Sequence, residues 1–190
     1  MVKMIVPNET ALIALARELD QNALARIYDL YSPGLYRYAY RLLGDEDMAE
    51  DCVAETFSRF LKILHGRQGP ENHLQAYLYR IAHNLITDAY RRHSPIEVEL
   101  PEDVVEDESL KPESQFAHRS EKEKIRLALR SLTPDQRQVV TLRFLEGWSN
   151  EEVSVAIQKP VGAVKALQHR ALTSLHQFLL SEEKVDLNGF

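Results

Sequence analysis

The carboxyl-terminal part of the chain carries hydrogen-bond donors at a spacing that suits nucleic acid. One face of a helix there would present the donors Lys165, His169 and Arg170 together with the small side chain of Ala166. Ammonium, imidazole and guanidinium groups on a single helix face can reach phosphates and base edges in a major groove. Many helix pairs show this pattern and bind no DNA, so a DNA contact and an ordinary solvated face both stay open at this level.

A second candidate surface lies in residues 74–92. Positions 74, 77, 78, 81, 82, 85, 86 and 89 are apolar or tyrosine and form one stripe of a helix. Tyrosines at the stripe edges could stack on bases. On this pattern alone, an ordinary amphipathic helix with a solvated face is the favoured explanation. The opposite face carries Arg80, His83, Asn84, Thr87, Asp88 and Arg91.

The first donor set is held by a predicted helix-turn-helix. Thr133 and Gln136 have the spacing of a capping box for one helix, and Ser149 and Glu152 have it for the short helix NEEVSVAI. The turn QKPVG then leads into a final helix from about residue 162 to 180. We expect this unit to pack through Val153, Ile157, Val164, Leu167, Ala171, Leu172 and Leu175.

The first ninety residues predict three or four helices. The first has a kink or break at Pro33, and the second is capped by Asp45 or Asp47. A third begins near Asn72, which has capping-box spacing to Gln75. Strand alternation with hairpin turns is not evident, so we expect an all-α protein.

Negative charge is concentrated between these two helical regions. Residues 94–118 contain eight acidic residues, one basic residue and three prolines, whereas residues 1–93 hold 12 acidic and 11 basic residues and residues 119–190 hold nine and 11. Such a segment buries too little apolar surface to offset the entropy of ordering. We therefore expect two small helical domains, 1–93 and 119–190, joined by a flexible acidic linker.

Several classes of protein are disfavoured by composition. An apolar run of about 20 residues, as needed to cross a bilayer, is missing, and the amino terminus lacks the features of a signal peptide, so we expect a cytoplasmic protein. Cys52 is the only cysteine, and a buried structural thiol is the preferred interpretation. A nucleophile–base set, a phosphate loop or a metal-ligand cluster is not evident, so we expect neither an enzyme nor a bound cofactor or metal.

Three blocks of the sequence, in this order, resemble a known family. They are IYDLYSPGLYRYAYRLLGDEDMAEDCVAETFSRFLKIL, HLQAYLYRIAHNLITDAYRRH and LRSLTPDQRQVVTLRFLEGWSNEEVSVAIQKPVGAVKALQHRAL. Together they resemble the two domains of bacterial sigma factors of the extracytoplasmic-function (ECF) class, from about residue 22 to 180 apart from the linker. The resemblance implies a promoter-specificity subunit of RNA polymerase that a dedicated anti-sigma factor controls.

The resemblance also implies roles for particular residues. The helix matching Ala49 to Leu64 would bind the clamp helices of the polymerase β′ subunit, the second domain would meet the β flap, and the loop 66–73 would help to open the −10 element. Single-stranded −10 DNA would be bound by Tyr77, Arg80, His83, Asn84, Arg91 and Arg92. Duplex −35 DNA would be bound by Lys159, Lys165, Ala166, His169 and Arg170. Core polymerase would be bound by Glu50, Asp51, Val53, Glu55 and Phe57.

The chain departs from the family pattern at three positions. Tyr77 stands where tryptophan is frequent, Leu167 where arginine is common, and Gln158 where the turn usually has glycine. A left-handed residue at that turn is less favourable without glycine. Two other interpretations stay open: a helix-turn-helix regulator that acts without polymerase, and an interaction protein that has lost promoter opening.

The acidic linker itself has two interpretations. By the resemblance it would run through the interior of polymerase toward the RNA exit path, where its charge of −7 could stand in for nucleic acid and repel DNA from the free protein. A plain soluble spacer would have the same composition. Neutralising its eight carboxylates should alter abortive synthesis or DNA binding by the free protein if the first interpretation holds.

Overall fold

A computed structural model describes residues 9–92 and 123–187, with side chains up to residue 180, and these residues form helices joined by short turns. The all-α expectation is confirmed there. The expected linker, residues 94–118, and the first residues of the expected second domain, 119–122, lie outside the described residues. The helices are α1 (Glu9–Arg17), α2 (Gln21–Leu43), α3 (Glu46–His65), α4 (Leu74–Arg92), α5 (123–130), α6 (Pro134–Val140), α7 (Asn150–Ile157) and α8 (Val161–Leu187).

Helix starts follow three of the predicted capping signals. The Asp45 side chain accepts a hydrogen bond from the first turn of α3. Thr133 and Gln136 form a reciprocal capping box at α6, and Ser149 and Glu152 form another at α7. Each cap satisfies N–H groups that the helix itself leaves without partners. The local sequence therefore fixes where both short helices of the second domain begin.

Two helix boundaries of the first domain differ in detail from the expectations. Helix α2 continues through Pro33, so of the two expected alternatives, a kink or a break, the break is excluded. Helix α4 begins at Leu74, whose N–H donates to Glu9 Oε1 at 2.9 Å. A carboxylate from α1, distant in sequence, thus takes the role that we assigned to Asn72.

The first domain, α1–α4, is built around the packing of α2, α3 and α4. Cys52 lies in this core, and burial raises the pKa of its thiol to about 11, which confirms the expected buried thiol. The stripe predicted for α4 contributes much of the apolar surface. The largest fully buried side chains of this domain are Ile27, Leu35, Tyr38, Leu42, Phe60, Leu64, Leu74, Leu78, Tyr79 and Ile86.

The second domain, α5–α8, is held by the packing of α8 against α6 and α7. Leu172 was expected in this core, but its side chain is 44% exposed. Ala171 and Leu175 occupy the inward side of α8, and Leu172 follows Ala171 by about 100° around the helix, which turns it toward solvent. The core includes Leu129, Leu132, Val139, Val140, Leu142, Trp148, Val153, Ala156, Val164, Leu167 and Ala171.

The two domains pack against each other. Helix α4 of the first domain contacts α7 of the second, and buried side chains of both domains join in one hydrophobic cluster. Between α6 and α7 the chain forms a π-helical turn, Thr141–Leu145. The residues that follow this turn, Glu146 and Trp148, contact the first domain.

Candidate nucleic-acid interface

Helix α8 presents the donor set that its sequence predicts. The residues on either side of this set, Val164, Leu167 and Ala171, are buried against α6 and α7. The helix is thereby fixed with its polar side outward, in the orientation that a major groove requires. The outward, exposed side chains are Lys165, Ala166, His169 and Arg170.

The turn before α8 achieves its geometry without glycine. Gln158 adopts the left-handed conformation, with φ 55° and ψ 42°. The turn is stabilised from both sides, because Gln158 N–H donates to Ser154 O and the Ser154 hydroxyl donates to Lys159 O at 2.6 Å. Lys159, predicted to contact DNA, pairs with Asp135 at 3.1 Å. A phosphate would have to compete with that carboxylate for the ammonium group.

Helix α4 exposes part of its predicted donor set. Asn84, Arg91 and Arg92 are exposed. The Arg80 guanidinium carbon lies 4.9 Å from the ring centroid of Tyr77, a cation–π contact that holds the cation beside an aromatic face. An aromatic ring and a cation side by side form the pairing that single-stranded nucleic acid favours.

The predicted outward position of His83 is wrong. Its side chain is 3% exposed, and it lies between the hydroxyl of Tyr38, 2.8 Å from Nδ1, and the carbonyl of Pro134, 3.1 Å from Nε2. Because a carbonyl only accepts, Nε2 carries the proton and Nδ1 accepts from Tyr38. Burial lowers the pKa of His83 to about 4, so the imidazole is neutral at physiological pH. Thr87, placed on the same outward face, is also buried.

The predicted polymerase-binding set of α3 divides into two groups. Glu50 and Asp51 are exposed, while Glu55 is partly exposed and pairs with Arg59. Val53 and Phe57 were expected on the same surface, but both are buried in the first domain. Their spacing places them on the apolar stripe of α3 that faces α2 and α4, so they position the helix and leave its carboxylates for a partner.

A set of contacts between the domains was not anticipated from the sequence. Arg41 Nη1 donates to Glu146 Oε1 at 2.5 Å, and the rings of Tyr79 and Trp148 lie 5.0 Å apart. These pairs are far apart along the chain, and helical periodicity contains no signal for such pairing. The helical periodicity of α4 shows only that this helix carries polar and aromatic residues outside its apolar stripe.

Other kinds of site find no support in the described ranges. Among residues 9–92 and 123–187, no helix is long and apolar enough to cross a membrane. Within the same residues, no group of three or more histidine, cysteine or carboxylate side chains could hold a metal ion.

Comparison with known proteins agrees with the helical architecture. Residues 27–96 match the family model of Sigma-70 region 2, and residues 122–175 match that of Sigma-70 region 4. The chain is similar to the ECF RNA polymerase sigma factor BldN of Streptomyces coelicolor, with 34% identity over 88% of this chain and 64% of BldN. It is likewise similar to the ECF RNA polymerase sigma factor SigX of Bacillus subtilis, with 31% identity over 84% of this chain and 86% of SigX.

A solved structure has the same fold. The structure of CnrH in complex with the cytosolic domain of CnrY aligns with a TM-score of 0.68 and 24% identity, covering 92% of this chain and 99% of that chain. The two regional matches follow the order of the two helical domains, and the SigX similarity extends across most of both proteins. The chain therefore belongs to the family of ECF RNA polymerase sigma factors, which are DNA-recognition subunits and not enzymes.

Proposed function

We propose that this sigma factor directs RNA polymerase to promoters by reading a duplex −35 element with α8 and holding an opened −10 strand with α4 and the loop 66–73. The observation that carries this proposal is the outward donor set of α8, exposed beside buried neighbours. Family membership supplies the polymerase and the promoter as partners.

Each side chain of the α8 set suits a different contact. Lys165 offers a mobile point charge for a guanine acceptor or a phosphate, and Arg170 offers a planar fork for a phosphate. His169 can donate to a base edge or the backbone. Ala166 is small enough to let the groove come close and to contact a thymine methyl group.

For the −10 strand, α4 offers cations and an amide at its exposed positions. Arg91 and Arg92 end the helix and suit the strand backbone, while Asn84 suits a base edge. Tyr77 and Arg80 would hold a base by stacking and charge. His83 joins this set only if the second domain leaves α4, because the Pro134 carbonyl accepts from its Nε2 when the two domains are packed together.

The exposed carboxylates of α3 fit a basic surface of core polymerase. Glu50 and Asp51 would make that contact, and Val53 and Phe57 would support it from the core. We further propose that the protein works in the cytoplasm, where transcription takes place, and that an anti-sigma factor competes with polymerase for it. CnrH, which shares the fold, was solved with the cytosolic domain of CnrY. To test this regulation, a candidate anti-sigma factor that co-purifies with the chain is added to the complex of the chain with core polymerase. Displacement of the chain from core polymerase is then measured.

Reconstituted transcription tests the proposal. The purified chain and bacterial core polymerase are incubated with a genomic fragment library, and the transcription start sites are mapped by sequencing. We expect start sites that share a two-part upstream motif. Lys165→Ala and Arg170→Ala should each lower transcript yield about tenfold, since one DNA contact contributes roughly 1–3 kcal/mol.

Lys124→Ala is the matched control, because it removes the same charge from α5 and should leave the yield unchanged. Unaltered transcription in both α8 variants would contradict the assignment of α8 to the −35 element. Binding to duplex DNA with no start sites would instead favour a regulator that acts without polymerase.

A further inference from the structure

We propose that the free protein is closed by an interdomain latch, comprising Arg41, Tyr79 and Tyr90 of the first domain and Arg137, Glu146 and Trp148 of the second, and that this latch must open before α4 can hold −10 DNA. The proposal rests on the proposed function of α4. It adds a regulatory step that the chain performs on itself.

The polar centre of the latch is an ion pair removed from water on one side. The Glu146 side chain is 1% exposed, and its carboxylate accepts from Arg41, whose side chain is 37% exposed. Arg41 also donates to Leu145 O at 3.1 Å, so one guanidinium binds two groups of the opposite domain. Arg37 and the Tyr79 hydroxyl also act on this carboxylate, but Arg41 is its direct ion-pair partner. A buried carboxylate that loses such a partner is destabilised, and opening the domains returns it to water.

Aromatic contacts flank the ion pair. Tyr79 packs against Trp148 with ring centroids 5.0 Å apart, and both side chains are buried. At the other end of α4, the guanidinium carbon of Arg137 lies 4.3 Å from the ring centroid of Tyr90. These contacts hold α4 at two places along its length, so the second domain lies along the helix.

The closed form covers the two proposed DNA-binding helices unequally. On α4 it buries His83, and the cavity of about 260 Å³ beside Tyr77, Arg80 and the preceding loop is bounded on its far side by Val155 and Gln158. The outward side of α8 stays exposed. The closed protein can therefore meet a duplex through α8. On α4, Asn84, Arg91 and Arg92 stay exposed, but an opened strand cannot reach the side that carries His83.

The contact is also built so that it can separate. A cavity of about 620 Å³, lined by residues of both domains that include Arg37, Tyr79 and Trp148, lies beside the ion pair. The side chains of the latch are aromatic or charged and carry polar groups that water can satisfy after opening. Such a surface can therefore be accommodated both in the closed protein, where the domains pack, and in the open protein, where water covers it. A contact made only of leucines would be unfavourable in the open protein.

A distance measurement tests the latch directly. Spin labels are placed at two exposed positions, Lys62→Cys on α3 and Gln177→Cys on α8, in a Cys52→Ser background, and pulsed electron paramagnetic resonance is recorded on the full chain. We expect one narrow distance distribution for the latched protein. Arg41→Ala should raise the ratio of open to closed molecules by about tenfold or more, because it removes the direct ion-pair partner of the buried Glu146 carboxylate.

Arg17→Ala is the matched control. Arg17 has nearly the same exposure, 36%, and its ion pair with Glu71 stays within the first domain, so its removal should leave the distances unchanged. A broad distribution in the unmodified chain, or equal distributions in Arg41→Ala and Arg17→Ala, would overturn the latch. Glu146→Gln, which removes the charge but keeps the shape, should open the domains less than Arg41→Ala.

Binding of a fluorescent single-stranded −10 oligonucleotide, without polymerase, connects the latch to function. Arg41→Ala should bind it several-fold more tightly than the unmodified chain, and Arg17→Ala should not. Opening without any gain in strand binding would overturn the inhibitory role of the latch. Failure of the proposed function has a different signature, an absence of promoter-dependent start sites with core polymerase, and the distance measurement needs no promoter.

Discussion

The buried position of His83 predicts how the stability of the protein depends on pH. Desolvation, and to a lesser extent the charge of Arg137, lower the pKa of His83, while the hydrogen bond to the Pro134 carbonyl and the charge of Asp135 oppose the shift, and the net value is about 4. Its ordinary value is 6.5. Below that value the unfolded chain binds more protons than the folded chain, so stability present at neutral pH is lost as the pH falls from about 6.5 toward 4.

The size of the loss follows from these two pKa values. Between about pH 7.5 and about pH 5.0, His83 alone should lower the free energy of unfolding by about 2 kcal/mol. Burial raises the pKa of Glu146, and that carboxyl acts in the opposite direction, stabilising the folded protein as the pH falls. The comparison must therefore isolate the histidine.

Urea unfolding followed by circular dichroism at both pH values provides the measurement, with His83→Gln as the matched variant. The glutamine amide can donate to the Pro134 carbonyl as Nε2 does, but it does not titrate. Between the two pH values, the free energy of unfolding of the unmodified chain should fall by about 2 kcal/mol more than that of the variant, because the Glu146 contribution is common to both. Equal pH dependence of the two proteins would refute the assignment of a buried, neutral His83.

Four further outcomes follow from the described contacts. Leu78→Ala should lower the free energy of unfolding by about 2–5 kcal/mol in urea titrations, since the side chain is fully buried; a loss below about 1 kcal/mol would contradict its place in the core. Thr133→Ala should cost about 1 kcal/mol in the same assay by removing one half of the α6 capping box, whereas no change would show that the cap is dispensable. Gln158→Gly should leave stability unchanged or raise it by up to about 1 kcal/mol, because glycine adopts the left-handed conformation without strain, and destabilisation would contradict the turn geometry. Cys52 should react with a thiol reagent only after urea unfolds the chain, as burial raises its pKa to about 11, and rapid reaction in the native state would refute its burial.

Short-range signals predicted much of the fold. The capping boxes at Thr133 and Ser149 depend on residues three positions apart, so the sequence contains the whole interaction. The outward set of α8 was predictable for the same reason, because Val164 and Ala171 mark the buried side of the helix. Capping by a residue far away in the sequence was not predictable. The start of α4 is capped by Glu9, whereas the local sequence pointed to Asn72.

The errors in the predicted site have a different origin. Val53 and Phe57 were assigned to a surface through family resemblance, although their own spacing places them on the apolar stripe of α3. His83 was assigned to solvent because polar residues surround it on the α4 wheel. The burial of Val53 and Phe57 can thus be read from α3 alone, whereas that of His83 cannot be read from α4 alone, since it depends on the second domain that covers that side.

A helix face that serves two states is hard to recognise from its sequence. The side of α4 that contacts the second domain carries Tyr79, His83 and Tyr90, which can satisfy their polar groups against protein or against water. Leucines in those positions would make the closed form too stable to leave and the open form prone to association. A reversible contact therefore has to be made of side chains that also belong on a solvated surface. The same composition that led us to place His83 in solvent is what allows α4 to be covered in the free protein and available to DNA once the latch opens.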